Sequence, residues 1–254
     1  MATSSTPPMY TDTPLAILPT PQFETGETDP FTIEASHMTL SHNAFIRGFN
    51  SIYQQAPRVP HADKADFVGY CIAWHDCVDA HHSYEETDFF PNINKACGRT
   101  DLMSAAVDEH AKFYGGMARM KAYLQHTGAK FDADELLAIM DSFKGALHAH
   151  LTAEPPAIVA LRQYSTAERP IDILGLAEAA GRKQVTLSFV FNIVPVFFLN
   201  MDTVDFEKGM WHGVFPPFKG LLRWIMLKAI PAWHWRRWRF VSCDADGRVK
   251  QLAC

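Results

Sequence analysis

The chain is predicted to be all-α: an antiparallel up-down four-helix bundle with a helical C-terminal extension. Three observations predict it. From about Phe31 to Glu154 the apolar residues recur at alternating three- and four-residue spacing, the period of an amphipathic helix. The periodic stretches are separated by short breaks, "APRVPHAD", "NKACGRT" and "HTGAKFD", that carry Pro, Gly or Asp. With 254 residues and 48% hydrophobic content the chain is long enough to bury a core without disulfides.

The elements follow in order. Residues 1–30 are rich in Ser, Thr and Pro and lack the charged-then-apolar layout of a secretory signal, so they are predicted to be a disordered leader. Helices are predicted at roughly 33–56, 63–92, 101–126 and 132–154, and the bundle domain spans 31–164. Pro155-Pro156 remove backbone donors and disfavour helical geometry at Glu154, which sets the end of the fourth helix. The extension, 165–254, begins with a fifth helix in "AERPIDILGLAEAAGRKQ" and is predicted to pack on the bundle.

The apolar run Val185–Leu199 contains Ser188, Asn192 and Pro195 and falls short of the ~20 residues a membrane span needs. Further on, Trp224, Trp233, Trp235 and Trp238 stand beside Arg223, Arg236, Arg237 and Arg239. Such a segment suits either peripheral membrane contact or packing against the bundle with the arginines reaching outward, and packing is the expectation. A net charge of −5 with scattered basic residues excludes a broad nucleic-acid surface. Five cysteines with no repeated CxxC pair fit reduced thiols and a cytoplasmic location.

Each predicted helix carries a histidine on its apolar stripe. Met38, His42, Phe45, Phe49 and Ile52 line the first; Phe67, Cys71, Trp74, Val78, His81 and Glu85 the second. Val107, His110, Tyr114, Met117 and Lys121 step along the third, and Leu136, Met140, Phe143, Leu147, His150 and Glu154 along the fourth. One inward histidine is commonly a hydrogen-bonded core residue; four, with two inward glutamates, would cost several kcal/mol per unpaired buried charge unless a metal held them. "HHSYE" and "HLTAE" place His81 with Glu85 and His150 with Glu154 at i, i+4, on one helical face.

Four imidazoles and two carboxylates exceed what a tetrahedral zinc uses and suit two iron ions. The Glu-x-x-His plan of ferritin-like bundles is not met, since only Glu34 and His37 have that spacing. His37, His75, His82, His126 and His148 fall off the stripes and are read as surface or flanking positions. A one-residue change of registry would bring in His82 and Glu86 in place of His81 and Glu85.

With His42, "HHSYEETDFFP", the "DEH" ending at His110 and "HLTAE" in this order, the chain resembles the hemerythrin-like, or HHE cation-binding, family. "HNAFIRGFNSIYQQAP", "FPPF" and "WRFVSCDADG" resemble its fungal branch, and the likeness covers roughly residues 31–254. The resemblance implies a non-heme di-iron centre with His42, His81, Glu85, His110, His150 and Glu154 as ligands. Oxygen-carrying hemerythrins have a second histidine one turn after the position of His110, where this chain has Tyr114, so one iron is expected to lose an imidazole. Tyr114 is the candidate catalytic residue, with three roles open: phenolate ligand, hydrogen-bond donor to bound oxygen, or space filler.

The resemblance therefore implies a protein that binds and reacts with dioxygen, an oxidase or oxygenase on a small organic substrate. The alternative is an iron or oxygen binding, storage or sensing module without turnover.

Overall fold

A computed structural model describes residues 7–183 and 186–254, and these form an all-helical molecule. Among them, β-pairing is limited to two isolated bridges, Met9 with Gln251 and Cys243 with Val249. Residues 1–6 of the expected leader and Val185 of the apolar run lie outside the described residues.

Four long helical segments carry the core: α2 (Pro30–Gln55), α3 (Lys64–Tyr84), α5 (Ser104–Thr127) and α6 (Ala133–Ala160). They pack in a ring, with α6 touching α2 and α5, and α3 touching α2 and α5. Asp29 caps α2 by accepting from the Phe31 and Thr32 N–H groups, with Pro30 in the first turn, and Asp132 caps α6 by accepting from Glu135 N–H. Inside the ring Phe49, Phe67, Trp74, Phe113, Met117, Met140, Phe143 and Leu147 are buried. Gly48 lets the Trp74 indole lie against α2: a Cβ there would stand 2.5 Å from Trp74 Cδ1. The indole then donates to the Phe45 carbonyl at 2.9 Å.

Two boundaries differ from the sequence expectation. The second helix is interrupted by a π-helical turn at Glu85–Phe89 before resuming as α4 (Phe90–Cys97), where Gly98 ends it at φ 66°. The fourth continues past Glu154, through Pro155 and Pro156, to Ala160. The inner stripe of α5 also shifts by one position: Ala106, His110, Phe113, Met117, Met120 and Leu124 face inward, while Val107 is 38% exposed and Lys121 pairs with Asp76 at 2.7 Å.

Residues 7–29, expected within a disordered leader, are packed on the bundle. Tyr10, Leu15 and Leu18 are buried, and a short helix α1 (Pro21–Thr25) touches α2. The side chains of Asn50 and Asn43 on α2 pair with the backbone of Leu15 and Leu18, each accepting from an N–H and donating to a carbonyl, so the backbone groups of these two buried residues are met without a sheet. Arg47, 1% exposed, joins strap to extension through Asp12 at 3.3 Å and Asp202 at 3.8 Å.

The extension contains α7 (Ile173–Lys183), α8 (Leu187–Asn192), α9 (Val194–Phe198), α10 (Gly220–Trp224) and α11 (Trp235–Trp238). The expected fifth helix is α7, which packs on α2; α9 touches α2 and α3, and α11 touches α3. Trp238, Phe240 and Val241 complete the main core beside Phe67 and Tyr70. Ser51 and Gln55 both donate to the Phe240 carbonyl. Among the described residues no helix is long and apolar enough to cross a membrane.

Candidate metal centre

All six sequence-predicted ligands meet in one buried cluster, and His82 joins them. Two groups have ligand atoms mutually within 4.8 Å: His82, Glu85, His110 and His150, and His42, His81, Glu85 and Glu154. Glu85, at the junction of α3 and the π-helical turn, belongs to both. His42, His82, Glu85, His110 and His150 are fully buried, Glu154 is 2% exposed, and the His81 side chain is 10% exposed.

Three of the imidazoles are oriented by hydrogen bonds on the nitrogen facing away from the cluster. His42 Nδ1 contacts the Leu151 carbonyl at 2.8 Å, His110 Nδ1 the Glu86 carboxylate at 2.7 Å, and His150 Nδ1 the Glu109 carboxylate at 3.3 Å. A carbonyl and two carboxylates only accept, so each Nδ1 carries the proton and each Nε2 presents a bare lone pair inward. Inward, His42 Nε2 lies 3.2 Å from Glu154 Oε2, and His110 Nε2 lies 3.6 Å from Glu85 Oε2. His81 Nε2 stands 2.8 Å from Glu85 Oε1.

These donors fit a cation. Both oxygens of Glu85 and of Glu154, both nitrogens of His82, and the Nε2 atoms of His42 and His81 are buried with no aligned hydrogen-bond partner. His110 Nε2 and His150 Nε2 face each other at 3.1 Å, and with both protons on Nδ1 that contact sets lone pair against lone pair. Such a concentration of unsatisfied acceptors costs several kcal/mol unless a positive ion sits among them. Nitrogen and carboxylate donors without thiolate match a borderline metal such as iron and exclude a thiolate-type centre.

Protonation equilibria point the same way. Burial, then the neighbouring imidazoles, hold His81 and His82 well below the usual histidine range, and the same causes take His150 down to about 2. Burial, then the Glu154 carboxylate, push Glu85 up. His81, His82 and His150 are thus kept in the neutral form that binds metal.

Two expectations are corrected here. His82, assigned to the surface or flank, is fully buried in the cluster, its ring 4.3 Å from His110 and 5.0 Å from His150 between centroids. It does not replace His81: the two adjacent histidines serve different groups. A stripe one residue wide selects one of them, whereas a cluster on both sides of Glu85 takes residues about 100° apart on the helix. With His82 from α3, the first group has three imidazoles, none of them at position 114. Tyr114 is not in either group; its hydroxyl donates to Glu86 Oε1 at 3.1 Å, the same oxygen that accepts from His110. Burial, then the Glu86 carboxylate, keep its phenol protonated.

Glu86, Glu109 and the Leu151 carbonyl were not singled out as orienting groups by the sequence. Glu86 had a signal, the repeat "EE" one turn from two histidines; a backbone carbonyl has none. The π-helical turn begins at Glu85, where a widened turn lets consecutive glutamates flank the single His110 ring.

Comparison with known proteins agrees with this geometry. Residues 35–155 match the hemerythrin HHE cation-binding domain, a span that contains every residue of the two groups. The chain is 31% identical over 252 residues to a curated protein named dimeric xanthone biosynthesis cluster protein R11 from Cryptosporiopsis sp. (strain 8999), covering 94% of this chain and 90% of that one. No solved structure matches. Helical fold, domain match and a relative matched over most of both chains agree, and the chain belongs to the hemerythrin HHE cation-binding family.

Proposed function

We propose that this chain is a non-heme di-iron protein that binds and reacts with dioxygen and oxidises a small organic substrate. The observation that carries the reading is the pair of four-donor groups sharing Glu85. The two groups together offer enough imidazole and carboxylate donors that they would hold two ions, with Glu85 a member of both. Bound iron would supply the redox reactivity toward dioxygen, which no side chain here supplies.

The protein's own residues would do the rest. Glu86, Glu109 and the Leu151 carbonyl hold three imidazoles in the tautomer with Nε2 inward, and Tyr114 steadies Glu86. Phe45, Phe89, Phe90 and Phe113 are buried close by, with Phe45 edge-on to His81 at 4.9 Å, and exclude bulk water from the cluster. His81 is the one partly exposed member, so access for a substrate is expected on its side. The relative's name links it to dimeric xanthone biosynthesis, which favours turnover of an aromatic compound over storage.

Anaerobic loading with ferrous iron, followed by oxygen exposure under an absorption spectrometer, tests the reading. Irreversible oxidation with consumption of an added phenolic substrate is expected. A stable, fully reversible oxygenated spectrum would instead make the chain a carrier or sensor.

A further inference from the structure

We propose that the C-terminal extension docks on the surface of an anionic lipid bilayer. The tryptophans of this chain divide into two sets. Trp74, Trp211 and Trp238 are at most 3% exposed, whereas Trp224, Trp233 and Trp235 are 57%, 69% and 64% exposed. All three exposed indoles lie within twelve residues, and Leu221 and Leu222 stand open beside them.

These side chains point outward because the inward positions are already filled. Along Gly220–Ala229, a helical turn that widens into a π-helical one, Leu227 packs with Val194 and Phe198, while Leu221, Leu222 and Trp224 stay exposed. Ile230 and Pro231 turn inward next and leave Trp233 and Trp235 outside. Phe191 of α8 meets Trp233 edge to face at 6.3 Å, which joins the exposed end of α8 to the same face. Exposed large apolar groups concentrated in one short stretch of chain mark a surface that is covered in use.

Charge decides what covers it. Residues 208–239 contain seven lysines and arginines and no aspartate or glutamate, in a chain whose net charge is −5. Arg236, Arg239 and Lys228 are held by Asp66, Asp63 and Asp246. Lys219 and Arg223, which flank the exposed leucines, have no acidic partner among the described residues. Two copies of this face would oppose like charges, whereas an anionic headgroup layer complements them. Indole rings favour the bilayer interface, where the apolar face enters the acyl boundary and the N–H stays with water. The segments are far too short to span, so the contact is peripheral.

The full chain, purified with its metal, is to be sedimented with vesicles of phosphatidylcholine alone and of phosphatidylcholine with phosphatidylserine. Binding to the phosphatidylserine vesicles with a blue shift of tryptophan emission is the expected result. The triple variant Trp224→Ser, Trp233→Ser, Trp235→Ser should keep the circular dichroism and metal content of the parent while losing binding. The pair Lys219→Glu, Arg223→Glu should lower affinity for anionic vesicles roughly tenfold or more. Absence of binding to either vesicle overturns the proposal. So does concentration-dependent self-association, without lipid, that the triple variant abolishes, since the face is then a contact between copies.

Discussion

The His42 Nδ1–H donates at 2.8 Å to the carbonyl of Leu151, four residues before Pro155. In an α-helix that carbonyl accepts from the N–H of residue 155, and proline has none. The proline that argues against helical continuation in the sequence thus leaves a backbone acceptor free inside α6, and the bundle uses it to orient a histidine on α2.

Restoring the donor tests that relationship. In Pro155→Ala the alanine N–H competes for the Leu151 carbonyl. Metal-free stability should rise, since an interior proline costs a helix about 3 kcal/mol, while metal affinity should fall by roughly ten- to a hundredfold as His42 loses its anchor. Thermal melting of metal-free protein and equilibrium dialysis against buffered ferrous iron read the two effects separately. Unchanged affinity would mean that the carbonyl does not orient His42.

The two donor groups predict distinct metal stoichiometries. His82→Ala removes an imidazole from one group only and His42→Ala from the other, so each should lower bound iron by about half. Glu85→Ala, which touches both, should lower it further. Elemental analysis after ferrous loading and desalting decides this; equal and complete loss in all three variants would mean a single site.

Tyr114→Phe should retain its metal content, because the hydroxyl contacts Glu86 and lies outside both groups. No visible phenolate band should be present in the parent to be lost in the variant. Glu86→Gln should be more damaging, since it changes the acceptor that fixes the His110 tautomer, with metal affinity falling by about tenfold or more. A visible band that vanishes in Tyr114→Phe would restore a ligand role for the tyrosine.

Chelator-treated protein should lose stability as pH falls through about 6.5. His81, His82 and His150 have folded pKa values below the ordinary one, so the unfolded chain takes up protons first. Their stabilisation is present above the unfolded pKa and declines as pH drops toward the folded values, each by up to about 1.4 kcal/mol per pH unit, and three such groups outweigh the single raised Glu85 carboxyl, which acts in the opposite sense. Denaturant unfolding of the metal-free chain at pH 7.5 and 5.5 checks the sign; greater stability at 5.5 would contradict it.

Arg47→Ala should destabilise the chain by about 3–5 kcal/mol. It leaves the buried Asp202 carboxylate without its cation and frees the N-terminal strap from the extension. Limited proteolysis should then cut within residues 7–29 before the bundle; a parent-like cleavage pattern would show that the strap is held by other contacts.

The amino-acid sequence by itself determined the helical class and six members of the cluster. Heptad-like periodicity is a local property, and a histidine on an apolar stripe must face the core whatever the neighbouring helix is. His42, His110 and His150 were legible for that reason, as were His81 and Glu85 at i, i+4. Tertiary structure decided what periodicity does not carry. The position of His82 depends on how far around α3 the cluster extends, and that is set by where α5 and α6 bring His110 and His150. The partner of Tyr114 depends on a widened turn at Glu85, and the anchor of His42 is a carbonyl on another helix. The strap of residues 7–29 has the composition of a disordered segment, because its few buried apolar side chains, Tyr10, Leu15 and Leu18, are held by Asn43, Asn50 and Arg47 of α2, partners that its own stretch of sequence does not contain.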